Sequence, residues 1–231
     1  MVERSGQAPL GCVRTTQCYD WYMGMSYQQL LQRMQAAEVL RTPEIVAAFK
    51  DVVREDFLPL EQQRYAGEDR PLPIGHGQTN SQPSTVAFML EQLQPRPGHN
   101  VLDVGAGSGW TSALLGHAVG SDGQVTGVEL VGELVDFARS NLNAYDYQNV
   151  DIKQAGAQLG WPKQAPYDRI LVSAAGTELP EELLTQLASD GRMVIPVGNF
   201  ILCVDKGADD DITVEEFPGF AFVPLRTTEL E

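Results

Sequence analysis

One ten-residue stretch, VLDVGAGSGW at 101–110, constrains the fold of this chain more than any other feature. Its first four residues predict a buried strand, which leads directly into Gly105, Gly107 and Gly109. Glycines let the backbone turn tightly and approach a ligand closely, and a helix that begins at Trp110 offers free N–H groups at the same place. The alternative is a glycine-rich turn that binds nothing, but a strand before it and a helix after it favour a ligand site.

Strands and helices alternate along the chain from His99 onward. Strands are predicted at 100–104, 124–129, 150–153 and 168–173, and helices at 110–119, 131–142 and 180–188. Closing strands are predicted at 193–196, 200–204, 212–216 and 221–223. This alternation predicts an α/β fold with a doubly wound, mostly parallel sheet that carries helices on both faces.

The segment before this alternation is predicted to be helical at both ends. Apolar residues at helical spacing predict a helix over 26–40 with Ser26 as its N-cap, and a second helix from Thr42 with Pro43 in its first turn. Residues 57–83 are rich in Pro, Gly and Gln and predict a long loop, a kind of loop that is usually functional in compact domains. A third helix is predicted over 84–94.

Two carboxylates restrict what the glycine loop can bind. A dinucleotide-binding loop needs glycine where this chain has Trp110, and Asp103 at the end of its strand would repel a pyrophosphate. Asp103 would instead attract an ammonium group, directly or through water. Glu129 ends the next strand and can accept hydrogen bonds from both hydroxyls of a ribose, although alone it could equally be a solvated strand end.

A ligand with an ammonium group, a ribose and no phosphate is S-adenosylmethionine. We therefore predict S-adenosylmethionine as the cofactor of this chain. The residues of the loop region expected to bind it are Asp103, Gly105, Gly107, Gly109 and Glu129.

Charge and composition exclude several classes of partner. The chain has 16 Lys and Arg against 31 Asp and Glu, a net charge of −15, so we expect neither nucleic acid nor an anionic membrane as a partner. Cys12, Cys18 and Cys203 are too few for a disulfide framework, and neither they nor the histidines have metal-ligand spacing. No membrane span and no secretory signal are visible, which predicts a cytoplasmic protein.

The segment LPIGHGQTNSQPSTVAFM at 72–89 is rich in neutral hydrogen-bond donors. Gln78, Thr79, Ser81 and Gln82 stand just before a predicted helix. Neutral donors together with a helix N-terminus can hold a carboxylate without a counter-ion. The alternative interpretation is a polar loop that only caps the helix.

At this segment the chain resembles the protein-L-isoaspartate (D-aspartate) O-methyltransferase family, which carries Leu-Pro-Ile-Gly-x-Gly-Gln-Thr-Ile-Ser-x-Pro there. Further matches follow in the family's order at 165–170, 173–175, 180, 183–187, 191–198 and 222–225, and upstream at Arg54, Phe57, Pro59 and Tyr65. The resemblance covers roughly residues 42–225. The Gln-Thr-x-Ser-x-Pro segment is distinctive, whereas the glycine loop is shared with most class I methyltransferases.

The resemblance implies a class I S-adenosylmethionine-dependent methyltransferase, Rossmann-like, with N-terminal helices. We expect a loose arm at 1–24, an N-terminal helical region and substrate loop at 25–98, and the methyltransferase core with closing strands at 99–231. The implied reaction methylates the free carboxylate of L-isoaspartyl or D-aspartyl residues in damaged peptides and proteins. The ester then closes to a succinimide, which partly reopens as normal aspartate. We also expect a monomer.

The resemblance also implies roles for single residues. Ser81 matches the residue assigned as the family's active-site serine, and Gln78, Thr79 and Gly156 fall at cofactor-binding positions. A carboxylate with a pKa of about 4 is already ionised at neutral pH, so the reaction needs alignment rather than a base. We interpret Ser81 as a donor that orients the substrate carboxylate, because no Ser-His-Asp constellation accompanies it. His76 is a weak candidate base.

Three positions depart from the family pattern. Asn80 stands where the family has isoleucine, and His76 where it usually has tyrosine. The family's Gly-Asp-Gly, whose aspartate contacts the adenine amino group, is replaced by 155–157, with Gly156 at the aspartate position. One adenine hydrogen bond is therefore missing, unless Gln158 or a backbone carbonyl supplies it.

These departures leave two alternatives open. One is a methyltransferase of the same fold that acts on an aspartate of a modified peptide product. It would share the cofactor residues and differ in peptide preference. The other is a non-catalytic relative that keeps the fold as a binding module, and it would fail to bind S-adenosylmethionine.

Overall fold

The computed structural model describes residues 25–226, so the predicted arm at 1–24 lies outside the described residues. Helices and one β-hairpin make up the part of the chain before the alternating segment. They are α1 Tyr27–Ala36, α2 Pro43–Asp51, the 3₁₀ turn Arg54–Phe57, α3 Leu60–Gln63, the hairpin strands β1 Leu72–Gly75 and β2 Gln78–Asn80, and α4 Pro83–Leu93. Ser26 caps α1 as predicted, since its hydroxyl accepts from Gln29 N while the Gln29 side chain accepts from Ser26 N.

The alternating part of the chain forms a seven-stranded sheet. Its strands are β3 Asn100–Val104, β4 Gln124–Glu129, β5 Val150–Gln154, β6 Tyr167–Val172, β7 Leu187–Val197, β8 Phe200–Lys206 and β9 Ile212–Pro218. The elements between them are α5 Trp110–Val119, α6 Gly132–Leu142, the 3₁₀ turn Pro162–Gln164 and α7 Glu181–Leu184.

The strand order is β5-β4-β3-β6-β7-β8-β9, with the first five strands parallel and the last two antiparallel. The chain leaves β3 toward β4 and leaves β6 toward β7, in opposite directions. The carboxyl ends of β3 and β6 therefore flank the topological switch point, where open α/β sheets bind their ligands. This confirms the predicted doubly wound, mostly parallel sheet.

The two faces of the sheet are covered by different parts of the chain. Val101 and Val125 face the N-terminal helices and α5, in a cluster with Phe49 and Trp110, whose rings meet edge to face with centroids 5.6 Å apart. Leu102 and the other strand residues whose side chains point to the second face of the sheet pack with α7 and with the segment that follows β5. Because successive strand residues alternate between these clusters, both faces of the central strands are dry.

A buried carboxylate joins α2 to α4. Glu91 accepts hydrogen bonds from Arg41 N at 2.7 Å, from Thr42 N at 2.8 Å and from the Thr42 hydroxyl at 2.7 Å. Thr42 is the N-cap of α2 but makes no side-chain cap of its own, so the carboxylate from α4 satisfies the groups at this helix start instead. The hydrogen bonds of Glu91 thereby connect α4 to the start of α2.

The helix predicted at 180–188 is wrong beyond its first turn. α7 ends at Leu184, and Leu187 already pairs with Tyr167 as the first residue of β7. Leu183 and Leu187 have the spacing of a helical face, but Gln186 lies in the turn between α7 and β7. Its side chain donates to Leu159 O and Glu182 O, each at 2.8 Å, and its backbone carbonyl accepts from Tyr167 N.

Two further segments differ from the prediction. The segment 57–83 is no irregular loop, because it holds α3 and the β1–β2 hairpin, in which Leu72 and Ile74 are buried. Residues 221–223 form no strand. They lie instead beside the end of β6, where Ala175 N donates to Val223 O and Leu225 N donates to Ala175 O, each at 2.8 Å.

Replacing Glu91 tests how much the α2–α4 junction stabilises the fold. Glu91→Ala leaves two partly buried N–H groups and a hydroxyl without their acceptor, so the free energy of unfolding should fall by about 2–4 kcal/mol. Urea denaturation measures this loss. The exposed Glu61→Ala serves as control and should change stability by less than about 0.5 kcal/mol. Equal losses in both variants would contradict the role of Glu91.

Candidate functional site

A cavity of about 460 Å³ opens at the carboxyl ends of β3, β4 and β6. Six parts of the chain line it: the β2 segment, the glycine loop after β3, the loops after β4, β5 and β6, and the segment that leads to Arg226. Of the predicted site residues it brings together Gln78, Thr79, Ser81, Gly105, Gly107, Glu129 and Gly156. Asp103 and Gly109 do not line it.

The glycine loop turns from β3 into α5 with all three glycines at positive φ. Gly105 and Gly107 present their backbone to the cavity. Gly109 has a different task, because a Cβ there would lie 3.1 Å from Ala138 Cβ on α6. Its glycine is required for the close approach of α6 and for its φ of 87°, rather than for contact with the cavity.

Glu129 is held at the cavity wall by backbone N–H groups. It is 7% exposed, and its Oε2 accepts from Gly107 N at 2.8 Å while Oε1 accepts from Leu130 N at 2.8 Å and Val131 N at 3.0 Å. A carboxylate offers about four acceptor sites, so three bonds leave capacity for a ligand hydroxyl. Glu129 therefore fixes the glycine loop and also carries negative charge at the cavity.

Asp103 lies behind the cavity wall and is completely buried. Its Oδ2 accepts from the hydroxyls of Thr111 at 2.7 Å and Ser112 at 2.6 Å in the first turns of α5. Its Oδ1 has no partner among residues 25–226. Burial raises the pKa of this carboxyl to about 6, against the lowering effect of the two hydroxyls. Its contact with a ligand ammonium group stays a prediction.

The β1–β2 hairpin carries Ser81 to the cavity. The hairpin turn passes through His76, which has a φ of 52° and also lines the cavity. Ser81 directly follows β2 and is half-buried, and its hydroxyl makes no hydrogen bond to any other described residue. A hydroxyl in this position is available to a ligand.

Arg54 holds this segment from behind, a role that the sequence did not reveal. Its guanidinium is completely buried and donates to six acceptors within 3.3 Å. These are the Asn80 side chain and the backbone carbonyls of Ala66, Glu68, Arg70, Asn80 and Ser81. Burial lowers its pKa to about 10, so it stays protonated at neutral pH, and it stacks over Trp110 at 5.5 Å.

The far end of the cavity is lined by the loop after β5. Gly156 has open space around it, since a Cβ there would meet nothing within 4 Å. Gln158 and Leu159 line the same end. A Cβ at 156 would therefore displace no neighbour.

Some lining residues were not predicted from the sequence. Ser108, Ser173 and the segment 223–226 also border the cavity, and among the described lining residues Arg226 is the one Lys or Arg. Within residues 25–226 no three or more His, Cys, Asp or Glu side chains are grouped so that they could hold a metal ion. No helix in that range is long and apolar enough to cross a membrane.

The buried carboxyl of Asp103 predicts a pH dependence of stability. A pKa raised from 3.8 to about 6 means that the folded protein holds the proton more tightly, so this stabilisation is present below pH 4 and is lost as the pH rises through 6. Asp103→Asn keeps an acceptor for both hydroxyls and removes the titration. From pH 4 to pH 7.5, the stability of the variant relative to the parent should therefore rise by about 2–3 kcal/mol.

Urea denaturation of both proteins at the two pH values measures this change. The difference between the two proteins cancels the contribution of every other titrating group. A difference that does not vary with pH would show that Asp103 titrates normally.

Comparison with known proteins agrees with this geometry. Residues 25–230 match the family described as protein-L-isoaspartate(D-aspartate) O-methyltransferase. The protein-L-isoaspartate O-methyltransferase of Methanopyrus kandleri is 44% identical over 86% of this chain and 90% of its own length, and that of Methanothrix thermoacetophila is 48% identical over 78% and 87%.

Solved structures show the same fold. A Plasmodium falciparum chain of this description, in complex with S-adenosyl-L-homocysteine, has a TM-score of 0.78 at 24% identity and covers 89% of this chain and all of its own. A second protein-L-isoaspartate O-methyltransferase structure has a TM-score of 0.77 at 27% identity, over 87% of this chain and 66% of that one. Matched over nearly its whole described length in sequence and in fold, the chain belongs to the protein-L-isoaspartate(D-aspartate) O-methyltransferase family.

Proposed function

We propose that this protein transfers the methyl group of S-adenosylmethionine to the free carboxylate of L-isoaspartyl and D-aspartyl residues in damaged proteins, and so starts their repair through a succinimide. The observation that carries the proposal is the shared cavity. The glycine loop with Glu129 and the segment with Ser81 line the same space of about 460 Å³. Pockets of small-molecule ligands usually measure about 300–1,000 Å³.

The lining fits a cofactor that has a ribose and a positive charge but no phosphate. Glu129 keeps acceptor capacity for ribose hydroxyls, and among the described residues that line the cavity Arg226 is the one Lys or Arg. The buried, unpartnered Oδ1 of Asp103 adds negative charge behind this wall whenever that carboxyl is ionised. We propose Gly105, Gly107, Glu129 and Gly156 as direct cofactor neighbours, with Asp103 and Gly109 acting from behind the wall.

The residues of the chain need only align the substrate carboxylate with the methyl group of the cofactor. Bound S-adenosylmethionine supplies a methyl group on a positively charged sulfur. The substrate carboxylate is ionised at neutral pH, so no side chain has to remove a proton. The Ser81 hydroxyl donates a hydrogen bond to one carboxylate oxygen and leaves the other free to take the methyl group. Arg54 fixes the Ser81 backbone through its carbonyl, so that the hydroxyl is held before the substrate arrives.

We also propose that the protein acts as a monomer in the cytoplasm and has no nucleic-acid partner. A net charge of −15 supports the absence of phosphate binding. Size-exclusion chromatography with light scattering checks the oligomeric state.

Calorimetry with S-adenosylhomocysteine, followed by methyl transfer to an isoaspartyl peptide, tests the proposal. We expect binding and methylation of the isoaspartyl peptide but not of the same peptide with normal aspartate. Methylation of a backbone-modified peptide in preference to the isoaspartyl peptide would favour the alternative substrate. Absence of binding at millimolar cofactor would favour a binding module.

Replacing Glu129 tests whether its carboxylate binds the ribose of the cofactor. Glu129→Ala removes a charged acceptor for the ribose and releases Gly107 N, so affinity for S-adenosylhomocysteine should fall by about 1.5–3 kcal/mol, on the order of ten- to a hundredfold. Calorimetry measures it, with the exposed Glu44→Ala as control. Unchanged affinity in Glu129→Ala would place the ribose elsewhere.

Adding a carboxylate at 156 tests the adenine end of the cavity. Gly156→Asp has room for its Cβ and should tighten S-adenosylhomocysteine binding severalfold, because it restores an acceptor for the adenine amino group. Gly156→Ala controls for the loss of glycine. Equal affinities of the two variants would contradict this placement of adenine.

Replacing Ser81 tests the mechanism. Ser81→Ala should lower kcat about tenfold to a thousandfold, by analogy with the loss of one positioned donor, while cofactor affinity changes much less. Steady-state methylation of an isoaspartyl peptide measures both. The pH–rate profile should show no limb near pH 7 from a general base. If His76 were the base, His76→Ala would remove such a limb and Ser81→Ala would be nearly silent.

A further inference from the structure

We propose that Asn80 and Ser108 are positioning residues, which hold the Ser81 segment against the glycine loop and so set the distance between the substrate carboxylate and the methyl donor. The inference rests on the proposed function and assigns two residues to its geometry. Neither residue takes part in the chemistry itself.

Asn80 connects two groups that lie on opposite sides of it. Its Oδ1 accepts from Arg54 Nε at 2.8 Å, and its Nδ2 donates to Ser108 Oγ at 3.3 Å. Asn80 is 4% exposed and Ser108 is 2% exposed, so water competes little for either bond. The oxygen and the nitrogen of the Asn80 amide are thus both hydrogen-bonded, and the oxygen is bound to the buried guanidinium of Arg54.

Ser108 belongs to the glycine loop and lines the cavity. It stands between Gly107, whose N–H binds Glu129, and Gly109, which packs against α6. Its own carbonyl accepts from Asn141 Nδ2 on α6 at 3.0 Å. The Asn80–Ser108 bond therefore reaches a loop that α6 and Glu129 already fix.

The same bond reaches the substrate side of the cavity. Asn80 directly precedes Ser81, and Arg54 binds the carbonyls of both. Ile74 of β1 also touches this loop, since a Cβ at Gly107 would lie 3.2 Å from its Cδ1. The hairpin thus meets the glycine loop through the Ile74 side chain and through the Asn80–Ser108 hydrogen bond, and the hydrogen bond is directional.

The resemblance to the family also makes position 80 informative. An isoleucine there could not accept from Arg54 or donate to Ser108. Asn80 therefore gives this chain a polar connection between the two walls that the family pattern lacks. Because in-line transfer depends on alignment, the connection should act on turnover more than on binding.

Ser108→Ala tests the connection with little change in shape. At saturating cofactor and isoaspartyl peptide, kcat should fall about two- to tenfold, the range that one hydrogen bond of ordinary net strength corresponds to. The Kd for S-adenosylhomocysteine should change less than twofold. Thr126→Val is the matched control, because it removes another buried hydroxyl bond, from Thr126 Oγ1 to Gln164 Oε1 at 2.8 Å, on a strand outside the cavity lining. Its kcat should equal that of the parent.

A double-mutant cycle with Asn80→Ala separates positioning from general destabilisation. If the two residues act through their shared bond, the double variant should have the kcat of Asn80→Ala alone. Losses that multiply, or a Ser108→Ala variant that loses cofactor affinity at full kcat, would overturn the inference. If Asn80→Ala does not fold, Ser108→Ala and its control decide. A parent inactive on isoaspartyl peptides would refute the proposed function itself, whereas an active parent with unchanged kcat in Ser108→Ala refutes only the positioning role.

Discussion

The buried guanidinium of Arg54 is the interaction on which the substrate side of this protein depends. No carboxylate among residues 25–226 forms an ion pair with it, and its desolvation is offset by six hydrogen bonds, five of them to backbone carbonyls between Ala66 and Ser81, and by the face of Trp110. The same bonds satisfy five backbone carbonyls of the segment that precedes α4. A segment that composition alone assigns to a loop is thereby connected to one buried side chain, and Ser81 is connected with it.

The cofactor side of the cavity depends on a negative charge, the carboxylate of Glu129, whereas the substrate side depends on the positive charge of Arg54. Among residues 25–226 no Lys or Arg forms an ion pair with Glu129, and three backbone N–H groups from two loops hold its carboxylate. Arg54 binds backbone carbonyls and Glu129 binds backbone N–H groups, and neither has an ion-pair partner in that range. Because backbone dipoles hold each ion in place, the two sides of the cavity are preorganised in the way that an alignment-driven reaction requires.

The sheet could be predicted from the sequence because its signals are local. Val101–Val104 alternate between two dry faces, and the glycines that follow can adopt the positive φ that this turn requires. The predicted helix at 180–188 failed for a non-local reason, since Gln186 bonds to Leu159 and Tyr167, which lie far away in the chain. The role of Arg54 was equally invisible, because an arginine in a sequence gives no sign of the carbonyls it will meet. Glu129 was placed from strand order, but its bond to the glycine loop was not.

The departures from the family pattern differ in what the structure does with them. The polar Asn80 in an apolar position is matched on both sides of its amide, by Arg54 and by Ser108, so it costs no unsatisfied group. Gly156 has no such compensation, because open space surrounds it. Asn80 is therefore part of the hydrogen-bond network of the site, whereas Gly156 leaves open space at the border of the cavity. A site that is rigid where bonds are made and open where the adenine is expected should tolerate weaker cofactor binding without losing alignment of the reacting groups.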